Sequence, residues 1–149
     1  MAGLYFEEFS VGQRVKTLSR TVSEDAINSF AGLTGDYNQI HTDAEFAKAT
    51  PFGQRIAHGL LGMSIGVGLI MRTGLLEGTV LAFREIEEWK FVKPVFIGDS
   101  IHAVLTVTET KALPRIGGGA LIAAVEIRNH KDEVLQKGTL SLLMLSKPK

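Results

Sequence analysis

The chain of 149 residues contains no cysteine. That removes disulfide frameworks, zinc ribbons and thiol nucleophiles together. Neither charge is in excess, with sixteen Lys and Arg against sixteen Asp and Glu. A nucleic-acid binder gathers a basic excess on one face, and a polybasic membrane contact needs the same, so neither partner is expected. An apolar run of bilayer length is also missing. The uncharged stretch Ile56 to Met71 has sixteen residues, is rich in glycine and runs straight into Arg72, whereas a spanning helix wants about 20 apolar residues. The start, Met1 to Glu8, has neither the positive region nor the apolar core of a secretory signal. The expectation is a soluble cytoplasmic protein.

What is present describes a globular chain: 45% apolar and 21% charged residues, at a length that suits a single domain over residues 1–149 burying roughly 70% of its unfolded surface. Glycine is over-represented. There are sixteen, where an average chain of this length carries roughly ten.

The order of patterns predicts an α+β domain. Val11 to Leu18 reads as a strand. Thr21 or Ser23 can cap a helix over Glu24 to Leu33, with Ala26, Ile27, Phe30 and Ala31 on one face; Thr21 with Glu24 would form a capping box, and Gly35 ends the helix. A loop over Asp36 to Thr42 leads to a short helix capped by Asp43 and carrying Phe46, and Pro51-Phe52-Gly53 breaks the chain before the long apolar helix. From Gly78 the period becomes two, through Ile101 to Val107, Leu121 to Ile127 and Leu140 to Met144. Turn signals at Ile97 to Ser100, Gly117 to Gly119 and His130 to Glu133 separate these runs. Connections this short suit an antiparallel meander of about four strands. Gly59, Gly62 and Gly66 fall on one side of the apolar helix. Each costs about 1 kcal/mol of helix propensity, and close approach of a curved sheet would offset that.

Two segments concentrate the groups that can do chemistry. Asp36-x-Asn38-x-x-His41-x-Asp43 lies between two helices, and Ile56-Ala57-His58-Gly59 opens the apolar helix. A carboxylate and an imidazole five residues apart across a loop can converge on one water and exchange protons with it. Gly59, at a helix start, offers a backbone N–H with no intrahelical partner, aided by the helix dipole, where an oxyanion could sit. The same residues also read structurally. Asp36 and Asn38 after a helix-ending glycine form an ordinary Asx-turn site, His41 can hydrogen-bond the loop, and His58 can be a satisfied structural residue. An EF-hand is excluded, because its sixth position needs glycine and holds His41. A zinc site built from His41 with Asp36 or Asp43 lacks a second histidine at helical ligand spacing. Ser64, inside the apolar helix, would bond a carbonyl one turn back. The Gly117 to Gly119 run opens no helix and is no phosphate loop.

Three blocks carry a resemblance. Thr34-Gly35-Asp36-Tyr37-Asn38-Gln39-Ile40-His41-Thr42-Asp43 resembles the D-x-N-x-x-H hydratase motif of the MaoC-like (R)-specific enoyl-CoA hydratases. Phe52 to Leu60 resembles that family's I-x-H-G block, and Phe91-Val92-Lys93-Pro94-Val95-Phe96-Ile97-Gly98-Asp99 its P-V-x-x-G-D turn. The three stand in the family's order. The resemblance implies a hot dog fold, a long apolar helix wrapped by a curved antiparallel sheet, in a homodimer or larger assembly of dimers. It implies an acyl-CoA thioester as substrate, held near the subunit interface, with no metal and no cofactor. Asp36 and His41 match the catalytic pair, Asn38 the motif asparagine that orients loop or water, and Gly59 the glycine whose N–H receives the thioester oxygen, with His58 beside it.

One position departs from the pattern. Some members carry a serine nine residues past the histidine of the second block, where this chain has Val67; Ser64 is the nearest hydroxyl. That puts the carry-over of acyl-chain specificity in doubt. For the CoA phosphates the candidate cations are Arg72, Lys90, Lys93 and Arg115. Two other classes compete: a hot dog thioesterase that would cleave the C–S bond, and a non-catalytic acyl-CoA binding module that would not need both Asp36 and His41.

Overall fold

The computed structural model describes residues 2–149. Helix α1 (Glu24–Thr34) begins at Ser23, whose Oγ accepts the N–H of Ala26 at 3.1 Å, and ends at Gly35 in the left-handed conformation with φ 82°. The expected capping box of Thr21 with Glu24 does not form. Thr21 belongs to a short strand, β2 (Arg20–Thr21), paired with Ile101 and Ser100, while the Glu24 carboxylate binds Arg55. The first strand is also shorter than the expected Val11 to Leu18. Gly12 turns the chain at φ 92°, leaving β1 as Arg14–Lys16. The expected loop over 36–42 contains a one-turn helix, α2 (Gln39–Thr42), followed directly by α3 (Ala44–Lys48). The Asp43 carboxylate caps α3 by accepting the N–H groups of Glu45 and Phe46.

The apolar helix α4 runs Gly59–Met71, three residues shorter at its start than the uncharged stretch suggests. Ile56 bridges Phe96, and the Ala57 N–H donates to Val95 O, so residues 56–58 stay extended against another segment. Four long strands follow: β3 (Val80–Phe91), β4 (Ser100–Leu113), β5 (Gly118–Arg128) and β6 (Val134–Leu145). The sheet order is β1-β4-β5-β6-β3, antiparallel throughout, with β2 also on β4. The expected meander is therefore correct for β4, β5 and β6 only. β3 pairs with β6 at the far edge, and residues 92–99 cross back to β4 past the N-terminus of α4. The physical reason is local. Val95 is buried beside α4 and fixed by Ala57, and Gly98 at φ 93° with the Asp99 carboxylate accepting the Phe96 N–H turns the chain into β4.

The core lies on two sides of α4. Met63 and Ile70 pack on Leu105, Leu121, Leu140 and Leu142 of the sheet, while Leu61, Ile65 and Leu69 pack with Val22, Ile27, Ile101 and Ile127. A helix apolar all round needs such cover. The sheet comes close because of the glycines. A Cβ at Gly59 would lie 2.7 Å from Phe91 Cε1 of β3, one at Gly62 would lie 2.6 Å from Gln136 Nε2 of β6, and one at Gly66 would collide with Ile127 of β5. The expected reason for the glycine row is the observed one. Leu60 stays 61% exposed, and Ser64 and Arg72 further along the helix are exposed as well. No helix among the described residues is long and apolar enough to cross a membrane.

This packing makes two alanine substitutions in one helix diverge. Gly66→Ala gains helix propensity but overpacks Ile127, and is expected to destabilise by about 1–3 kcal/mol. Gly68→Ala, with nothing within 4 Å of the added Cβ, is expected to stabilise by up to about 1 kcal/mol. Thermal unfolding of both variants checks this, and equal shifts of Tm would refute the close-approach account.

Candidate active site

Three segments meet at the N-terminus of α4: the turn between α1 and α2, residues 52–58, and the crossing segment after β3. Thr34 Oγ1 donates to Phe30 O and accepts the Asp36 N–H at 3.2 Å, which continues the chain out of α1. The Asp36 carboxylate then accepts the Asn38 N–H at 3.1 Å, and Asn38 Oδ1 caps α2 by accepting the Ile40 N–H at 3.4 Å. The Asx turn of the structural reading is thus present, and Asn38 spends its side-chain oxygen on the loop.

Both histidines are held through one ring nitrogen each. His41 Nδ1 lies 2.8 Å from Ile56 O, and His58 Nε2 lies 2.9 Å from the backbone oxygen of Asp36. A carbonyl only accepts, so both nitrogens carry the proton. In the neutral ring this leaves His41 Nε2 as a lone pair. His58 is buried, and its Nδ1 has no partner among the described residues. The rings stack with centroids 3.9 Å apart at 25°, and Phe30 meets His58 edge-on at 4.9 Å. One polar atom from each of Asp36, His41 and His58 lies within 4.8 Å of the others. The cluster is nevertheless a poor metal clamp, because imidazoles ligate in their own planes and nearly parallel rings direct those lone pairs alongside each other.

Arg55 fixes this arrangement. Its Nε donates to His41 O at 2.6 Å, and its terminal nitrogens reach Glu24 at 2.8 Å and Asn28 at 3.0 Å on α1. The sequence reading gave Arg55 no role. A cation between two helices has no signal in spacing, since its partners are distant in sequence.

Beside His41 opens a cavity of about 540 Å³, within the range of small-molecule sites. Its walls are mainly apolar, including Phe52, Ile56, Leu60, Phe91 and Val95, with Gly59, Lys93 and Gln136 among them. Gly59 is the first residue of α4, and His58 makes no side-chain cap. Its N–H therefore has no carbonyl one turn back. Asp36 and Asn38 do not line this cavity; Asp36 stands exposed at its border, within reach of His41.

The remaining candidate residues scatter. Lys93 stands in the cavity wall but is paired with Glu133, and that pairing, with Asn129, holds the Glu133 carboxyl below its usual range. Ser64 donates to Leu60 O at 2.7 Å and, with Arg72, lines a second cavity of about 1150 Å³ against residues 16–20. Val67 packs against the sheet-side core. Lys90 lies in a separate groove on the sheet with Glu126 and Lys137, and Arg115 sits in the turn between β4 and β5. Gln136, buried in the cavity wall, was not singled out by the sequence, because its strand reads only as an alternating run.

The chain is similar to known proteins over most of its length. Residues 7–124 match the MaoC-like domain family. The chain is 38% identical over 105 residues to an (R)-specific enoyl-CoA hydratase of Rhodospirillum rubrum, covering 70% of this chain and 69% of that one. Among solved structures, one described as a monoamine oxidase regulatory protein from Archaeoglobus fulgidus superposes with a TM-score of 0.91 at 36% identity, over 99% of this chain and 98% of that one. A protein of Mycobacterium tuberculosis with a double hot dog fold gives 0.82 at 19% identity, over 99% of this chain and 46% of that one, a likeness of fold alone. With its glycine-faced helix wrapped by an antiparallel sheet and its Asp-x-Asn-x-x-His turn at the mouth of that helix, the chain belongs to the MaoC-like dehydratase domain family and has the hot dog fold.

Proposed function

We propose that this protein is a hydro-lyase that reversibly adds water to a trans-2-enoyl-CoA, giving an (R)-3-hydroxyacyl-CoA. The observation that carries the reading is His41. Its Nδ1–H is tied to Ile56 O, its Nε2 faces outward from that bond as the free ring nitrogen, and it lies beside the Asp36 carboxylate in the wall of the cavity that contains Gly59. The hydratase of R. rubrum supports the substrate class.

Asp36 and His41 hold one water against C3 of the enoyl thioester. As its oxygen bonds to C3, one of the pair takes a proton and the other delivers a proton to C2. The charge that builds on the thioester oxygen meets the Gly59 N–H; losing one such donor costs about 3 kcal/mol. Hydration is redox-neutral, and the pair supplies both proton transfers. Asn38 shapes the turn, and His58 supports it through Asp36 O. Lys93 is the candidate cation best placed for the CoA phosphates.

The test is turnover of crotonyl-CoA. Asp36→Asn and His41→Ala are each expected to lower kcat by at least about a hundredfold, the scale of general acid–base catalysis. Near-native turnover in either folded variant sinks the pair. Release of free CoA by the wild type would indicate a thioesterase instead, and neither reaction would indicate a binding module.

The active unit in this reading is a cytoplasmic homodimer of single hot dog domains. Among the described residues edge strand β3 pairs only with β6 yet exposes Leu81, Phe83, Ile86 and Phe91, and α4 exposes Leu60. A long edge with apolar side chains invites another strand. Sedimentation of the wild type is expected to give a dimer mass, and Ile86→Lys, in the middle of β3, a monomer. A monomeric wild type would refute the assembly.

A further inference from the structure

The first turn of α4 lacks the usual supports. His58 makes no capping bond, no acidic residue stands in the first turn, and the first residue is glycine. A donor for a developing oxyanion works only if it is preorganised, so something else must hold Gly59. The structure shows what does. Phe91 of β3 and Gln136 of β6 are opposite partners in the strand register, and both reach this turn. The Phe91 ring lies where a Cβ of Gly59 would stand, and Gln136 Nε2 donates to Gly59 O at 2.9 Å.

Gln136 is only 1% exposed, and its amide is oriented from behind. Trp89 Nε1 donates to Gln136 Oε1 at 3.1 Å, which leaves the NH2 end toward Gly59. Both residues have seats made by glycines. An added Cβ at Gly62 would lie 2.6 Å from Gln136 Nε2, and one at Gly138 would lie 2.6 Å from Trp89 Cε3. A polar amide buried in a mainly apolar wall is costly unless satisfied, and here its donor end is satisfied by a helix turn that has no side-chain cap. We propose that Gln136, locked by Trp89, is a positioning residue that fixes the first turn of α4 and so aims the Gly59 N–H at the thioester oxygen. The inference rests on the hydration reading for the identity of that oxygen.

Two substitutions separate positioning from mere packing. Gln136→Leu keeps the volume and removes both bonds. It is expected to lower kcat for crotonyl-CoA about tenfold with KM within about twofold, since small misplacements at a reacting centre cost rate rather than affinity. Hydrogen exchange at the Gly59 and Leu60 amides should quicken. In Gln136→Glu, a protonated carboxyl can still donate to Gly59 O and accept from Trp89, whereas a carboxylate cannot donate. Burial raises a carboxyl pKa, so this variant should approach wild-type kcat at acid pH and fall as pH rises, a limb the wild type lacks. Trp89→Phe, which frees the amide without removing it, should cost less than Gln136→Leu.

Wild-type kcat and unchanged exchange in Gln136→Leu, or a wild-type pH profile in Gln136→Glu, would overturn the proposal. If Gln136→Leu fails to fold, the profile of Gln136→Glu decides. An active wild type with an indifferent Gln136 defeats this inference alone. A wild type without hydratase activity defeats the function reading, and the exchange rates then report separately on whether Gln136 holds the turn.

Discussion

The structure depends on how closely a curved sheet can approach one face of α4. Three strands reach it at successive turns, β3 at Gly59, β6 at Gly62 and β5 at Gly66, and at each point a methyl group would stand closer than real side-chain atoms do. Each glycine costs helix propensity of about 1 kcal/mol. The return is apolar burial on both sides of a helix that has no polar face to offer solvent. The same approach shapes the candidate site, because it brings Phe91 and Gln136 to the turn that carries the Gly59 N–H. Fold and site therefore share one constraint.

The polar groups around that turn are arranged economically. Each histidine uses one nitrogen for a backbone carbonyl, and those carbonyls belong to Ile56 and Asp36, the segments that the site must keep together. His58 thereby ties the turn after α1 to the start of α4, and His41 ties α2 to the extended residues before it. Stacking of the two rings at 3.9 Å makes them one unit. Arg55 closes the arrangement from outside by holding His41 O against Glu24 and Asn28. The loop is short of regular structure but not short of bonds.

Local signals were legible in the sequence where the cause is local. Gly35 ends α1, Asp43 caps α3, and the period-two runs are β4, β5 and β6. The turn that carries Asp36 and His41 was legible because both stand in one short motif between α1 and α3. What failed depended on partners distant in sequence. Thr21 could have capped α1 but pairs with Ser100 instead. β3 could have joined a meander, yet Val95 and Ala57 take the following segment past α4 and leave β3 beside β6. His58 is the structural residue that the sequence allows, but its stack with His41 depends on two segments that meet only in the fold. Gln136 and Arg55 act across 77 and 14 residues of sequence, a separation at which no window carries a signal.

Two cations near the site illustrate why balanced charge is compatible with an anionic ligand. Arg55 has a side chain only 10% exposed and three partners. Removing it from them would strand a buried charge, so it belongs to the scaffold. Lys93 has one acidic partner among the described residues, Glu133, in an exposed pair, and solvent screens such pairs strongly. Glu133 keeps a bond from Asn129 Nδ2 and its backbone bonds to Asn129 when Lys93 turns away, so the β5–β6 turn retains its form. In the proposed reading, a phosphate at the cavity mouth would compete for Lys93 against a solvent-screened partner, without disturbing the elements that hold the turn of Gly59.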